Sequence, residues 1–152
     1  MADAVRPSMR WAVVAAMILC LAAQVWAADD TQRFLEDFVV GHYQLVGRTP
    51  DGGGAYHGRV EISRTTGGLQ VRRHVHGTEQ TGTAAVEQAT ADRVPVLRIR
   101  FRGTAGDYEE TCMVGSDLDN RARITCYLYR PGSHTRQPGL EALFADPAAR
   151  GR

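Results

Sequence analysis

Seven stretches of this chain alternate polar and apolar residues with a period of two, and a turn signal separates each from the next. A period of two sends successive side chains to opposite faces of an extended strand. Residues 41–48 place Tyr43 and Leu45 on one face, against His42, Gln44 and Arg48. Residues 55–63 set Tyr56, Val60 and Ile62 against His57, Arg59, Glu61 and Ser63. Residues 69–76 set Leu69, Val71 and Val75 against Gln70, Arg72, His74 and His76, and Arg73 intrudes on the apolar face. Residues 79–87 form a weaker strand, and residues 95–102 set Leu97, Ile99 and Phe101 against Arg98, Arg100 and Arg102. Residues 108–114 and 122–130 complete the set. Turns fall at Pro50-Asp51-Gly52-Gly53-Gly54, at Thr65-Thr66-Gly67-Gly68 and over 103–107.

Short strands at such regular spacing predict an all-β fold. The short connections favour an up-and-down antiparallel meander that closes into a small barrel of seven or eight strands. No stretch of 10–15 residues between strands carries a helical period, which argues against βαβ units. Short helical segments are expected at both ends. One follows Asp29-Asp30-Thr31, with Phe34, Leu35 and Phe38 on one face; the other covers 138–144, with Leu140, Leu143 and Phe144 on one side.

The first residues read as an address. Arg6 and Arg10 precede an uncharged apolar run from Trp11 to Ala23, and Val25 and Ala27 offer a small-residue cleavage site. The run is shorter than the roughly 20 residues a spanning helix needs. Leu19 before Cys20 does not suit a lipoprotein signal, and no twin-Arg pair precedes the run. Residues 1–27 are therefore expected to be a signal peptide and 28–152 a single β-barrel domain. The expected location is the periplasm or the medium, with no membrane span after cleavage.

Cys112 and Cys126 would remain after cleavage. In an oxidising compartment an even pair is a disulfide candidate. Asp117, Asp119 and Asn120 lie between the two flanking strands as turn formers. A hairpin folded about position 119 puts Cys112 opposite Cys126, within bonding reach.

Phe38, followed by Gly41-His42-Tyr43 at the start of a meander, resembles the opening of calycins: lipocalins, avidins and small bacterial relatives. The lipocalin aromatic at this place is typically Trp, where this chain has Tyr43, and the second lipocalin motif, Thr-Asp-Tyr, is absent. The resemblance implies a barrel architecture and no particular ligand.

Composition narrows the function classes. All basic residues are Arg, so Schiff-base and P-loop chemistry, which need Lys, are excluded. A net charge of +1 offers no surplus for phosphates, so a nucleic-acid partner is not expected. His74 and His76, with His57 as a possible third ligand, are the sharpest metal-like feature, but a polar solvent face explains them more simply. Asp117 to Asn120 lacks the order of a calcium loop. Ser133-His134 are adjacent, Glu109 and Glu110 alternate faces, and no Gly-x-Ser-x-Gly occurs. No catalytic set, cofactor or metal is expected.

Tyr43, Tyr56, Val60, Ile62, Leu97, Ile99 and Phe101 face the expected interior, where they either line a pocket for a small apolar ligand or fill a core. Arg98, Arg100 and Arg102 make a cationic stripe, with Arg72 and Arg123 as possible neighbours. The stripe either docks an acidic partner such as an envelope protein, or an anionic polymer, or is a solvated face with carboxylates such as Glu61 and Glu109 alongside. The leading expectation is a non-enzymatic binding protein. An interaction or inhibitor module using the Arg face comes second, and a cryptic hydrolase third.

Overall fold

The computed structural model describes residues 30, 32–102, 106–115, 122–146 and 148–149. The expected signal peptide, its cleavage site and the Asp117–Asn120 turn lie outside these residues. The chain divides into two compact units, Met1–Phe34 and Leu35–Arg152. The described part of the first is helical residues 30 and 32–34. The second holds every strand.

Helix α1 covers residues 32–39. Eight strands follow it: β1 Gly41–Arg48, β2 Ala55–Thr65, β3 Gly68–Val75, β4 Thr78–Ala89, β5 Val94–Phe101, β6 Tyr108–Val114, β7 Ala122–Tyr129 and β8 Gly139–Ala145. Each strand pairs antiparallel with its chain neighbours, and β1 pairs with β8, so the sheet is a closed barrel in chain order. This is the all-β meander that the period and the short turns predict. Closure leaves no sheet edge and so no row of unpaired backbone groups.

The expected helix over 138–144 is corrected to a strand. Leu140, Leu143 and Phe144 fit a helical face by spacing, yet in β8 Gly139, Glu141 and Leu143 are buried and Leu140 is exposed. The reason lies in the available partners. Without β8, β1 and β7 would each present an open edge, and β8 pairs with both. A segment this short makes a weak helix alone, and two completed ladders outweigh its local preference.

The β3–β4 turn consists of His76 and Gly77, with φ of 50° and 77°. Two left-handed residues in succession match the twist of a tight hairpin. His76 therefore leaves the strand that His74 belongs to, and the two histidines do not share a strand face.

The barrel core is built from the inward positions of all eight strands, with Leu45, Ile62, Val71, Leu97, Ile99, Ile124 and Leu143 among its most buried members. Cys112 and Cys126 pair directly between β6 and β7 and form a disulfide, as their spacing predicts. Both are buried on the inner face. Such a bond fits an oxidising compartment.

One barrel end is closed by the second half of α1. Val39 is fully buried, Phe38 and Val40 pack on the core, and the Tyr43 hydroxyl donates to the Val39 carbonyl at 2.7 Å. Arg64, near the end of β2, holds Glu36 at 3.0 Å and Asp37 at 2.6 Å. Among the described residues, no helix is long and apolar enough to cross a membrane.

Candidate functional site

Four polar side chains from four strands meet inside the barrel: Tyr56 of β2, Arg73 of β3, Glu110 of β6 and Glu141 of β8. The inward alternation of each strand puts them there, among positions otherwise filled by apolar residues. Gly47 makes their meeting possible. It pairs with Tyr56 on one side and Glu141 on the other. A Cβ at Gly47 would lie 2.6 Å from the Tyr56 ring, so only a bare backbone lets that ring cross to Glu141.

Glu141 Oε1 accepts from both the Tyr56 hydroxyl and Arg73 Nη2. Arg73 Nη2 also donates to the Tyr56 hydroxyl at 2.9 Å. The Arg73 guanidinium lies 5.3 Å from the Tyr56 ring centre and 5.6 Å from that of Phe101. The side chains of Arg73 and Glu141 are 9% and 1% exposed, so this is a buried ion pair.

Each group's acidity follows from that burial. Burial opposes the Arg73 charge, but the carboxylates of Glu141 and Glu110 more than offset it, and its pKa is raised. Tyr56 is held in its neutral form, first by burial and then by the Glu141 charge. Glu110 is pushed well above the usual carboxyl range by burial, then by the charge of Glu141, with a hydrogen bond to Glu141 adding to the effect. Two carboxyls close together in a dry interior favour holding a proton on one of them. Arg73 Nε, Glu110 Oε1 and Glu141 Oε2 are buried and have no hydrogen-bond partner among the described residues.

Above this cluster the barrel opens. A cavity of about 780 Å³ lies at the end away from α1, with Tyr56 and Arg73 among its lining residues. Its walls come from three places. Val75, His76, Thr78 and Gln80 line it from the β3–β4 hairpin, Tyr108, Leu128 and Arg130 from around β6 and β7, and Thr49, Pro50 and Asp51 from the β1–β2 turn. Segment 133–135 completes the rim. The rim is pinned: Asp51 Oδ1 accepts from the backbone N–H groups of Arg136 at 2.9 Å and Gln137 at 3.1 Å. Arg130 stacks 5.1 Å over the Tyr108 ring and donates to that residue's hydroxyl at 2.7 Å from Nη2. His76 meets the edge of Tyr56, with ring centres 6.2 Å apart.

The residues singled out by sequence fall in different places. All seven of Tyr43, Tyr56, Val60, Ile62, Leu97, Ile99 and Phe101 are buried on the inner face. Of these, only Tyr56 lines the mouth cavity. Ser133 and His134 stand on the rim, and the Ser133 hydroxyl donates to the Arg130 carbonyl at 3.1 Å. His57 and His74 are exposed, and His76 turns to the mouth. Among the described residues, the one group of three potential metal ligands is Glu110, Cys112 and Cys126. Both of its sulfurs are joined in the disulfide and offer no thiolate.

The cationic stripe is largely paired. Arg98 Nη1 meets Glu109 at 2.9 Å and Thr111 at 2.6 Å. Arg100 makes a two-pronged contact to Glu87 at 2.6 and 3.1 Å and reaches Glu109 at 2.9 Å. The Arg100 hydrogen bond holds the Glu87 carboxyl low. Burial pushes Glu109 up, but Tyr129, Arg98 and Arg100 hold it down. Arg102 is exposed just beyond β5. Arg72 lies on β3 beside Glu61, separated from β5 by β4, and the side chain of Arg123 lies outside the described residues.

Sequence reasoning noticed Arg73 as an intruder but gave it no partner. It missed Glu141, whose strand was read as a helix, and read Glu110 only as half of an alternating pair. An ionisable residue at an inward strand position is the available signal for Arg73 and Glu110, whereas the helical spacing of 138–144 hides Glu141. Comparison with family models, with curated proteins and with solved structures finds no match for this chain.

Proposed function

We propose that this is an exported, non-enzymatic binding protein of the bacterial envelope, calycin-like in design, which holds a small and largely apolar ligand in the barrel mouth. The observation that carries the reading is the cavity of about 780 Å³ at one end of a barrel whose other end is closed by α1. Its volume lies in the range of small-molecule sites. Its lining combines apolar surface from Val75, Leu128 and Pro50 with a few fixed polar groups, the usual make-up of such a site. Export rests on the leader-like first 27 residues and is supported by the disulfide. The Ser133 hydroxyl at the rim already donates to a backbone carbonyl, which leaves little support for a hydrolase there.

Native mass spectrometry tests this on protein exported through its own leader and purified gently. The expected result is a chain starting at Ala28, carrying an added mass that leaves on denaturation. Repeated recovery of the bare protein, with no small-molecule mass from any extract, overturns the ligand-carrier reading.

A further inference from the structure

Two guanidinium groups, those of Arg73 and Arg130, line the mouth, and Asp51 is the one acidic side chain among its described lining residues. Asp51 is already engaged, accepting two backbone N–H groups through Oδ1. Arg130 donates only to the Tyr108 hydroxyl and has no acidic partner among the described residues. Arg73 uses Nη2 on Tyr56 and Glu141. Its buried Nε has no partner among the described residues, and Nη1 makes no hydrogen bond to a described residue. The cavity thus offers guanidinium donors that no described residue takes up.

We infer that the ligand of the mouth is a small amphiphilic anion, its charged oxygen head taken by Arg130 and Arg73 and its apolar body lying against Val75, Leu128 and the Tyr108 ring. This rests on the reading of the mouth as a ligand site and adds the charge of the ligand. Guanidinium groups bind oxyanions by charge-assisted hydrogen bonds, which are stronger and more directional than neutral ones. The buried acids do not oppose it. Glu141 is matched by Arg73, and burial pushes the Glu110 carboxyl toward its neutral form.

Two fluorescent probes with the same aromatic body separate the claims: anilinonaphthalene sulfonate, which is anionic, and phenylnaphthylamine, which is neutral. Titrations use the processed, disulfide-bonded protein. The anion is expected to bind at least about tenfold more tightly than the neutral probe, more weakly as salt rises, with Arg130→Gln removing that preference. Filling the mouth with Val75→Trp is expected to abolish binding of both. Arg73→Gln risks misfolding because it leaves Glu141 buried without its cation, so Arg130→Gln carries the test. Equal binding of the two probes, unchanged by Arg130→Gln but lost in Val75→Trp, overturns the anionic head and leaves the mouth as a ligand site. Binding of neither probe, or binding that survives Val75→Trp, overturns both readings.

Discussion

Arg73 and Glu141 illustrate how a buried pair is held by its partners more than by its attraction. Bringing both charges out of water costs several kcal/mol, which the ion pair and the Tyr56 hydroxyl offset. Removing one partner leaves the other exposed to the full penalty. Glu141→Ala is expected to lower unfolding free energy by about 3–5 kcal/mol in urea titrations, whereas Arg73→Met with Glu141→Leu recovers most of that loss. Glu110 makes a separate prediction about pH. Its folded pKa is raised by burial and by Glu141, so the stability it contributes is full below the unfolded carboxyl pKa and declines as pH rises toward the folded one. Glu110→Gln copies the protonated form. It should match the parent near pH 4 and be the more stable of the two near pH 8, as read from denaturation midpoints. A parent whose stability does not fall between those pH values rejects a protonated Glu110.

At the scale of elements, the β6–β7 hairpin carries the covalent staple and β5–β6 carries the ion-pair ladder. Cys112 and Cys126 are 14 positions apart, so the chain-entropy model allows about 3 kcal/mol of stabilisation at most. Cys112→Ala with Cys126→Ala should lower stability by about that amount or less, measured against the parent under non-reducing conditions. The ladder responds to acid in the opposite sense to Glu110. Glu87 and Glu109 are held low, so their contribution is present above the unfolded carboxyl pKa and is lost as pH falls through the folded values. Both are partly exposed, which limits each to ~1 kcal/mol or less. Replacing both with Gln should flatten the acid limb of the stability profile and leave the alkaline limb to Glu110. The period of two made these strands legible, and the Cys spacing gave their register. The pairing of Arg98 and Arg100 with Glu87 was less visible, because that carboxylate lies across the β4–β5 hairpin on the strand whose alternation is weakest.

For the whole molecule, closure is the decisive step. β8 supplies ladder partners to both β1 and β7, and it delivers Glu141 to the interior. Ending the chain after Gln137 should therefore open two edges and remove the counter-ion of Arg73 together. The expected outcome is loss of the cooperative thermal transition followed by aggregation, seen by circular dichroism and light scattering. A truncated chain that still melts cooperatively as a monomer argues that β8 is dispensable. The local alternation of residues by itself determined that this protein is a meander of short antiparallel strands, which side chains turn inward, and that Cys112 faces Cys126. Those features depend on neighbours along the chain or across one hairpin. Tertiary structure alone decided that the tail is a strand, that the ring closes, and that Tyr56, Arg73, Glu110 and Glu141 share one site beneath an open mouth. Positions so distant in sequence meet only when every strand has taken its place, and β8 gains its ladders only from that closure.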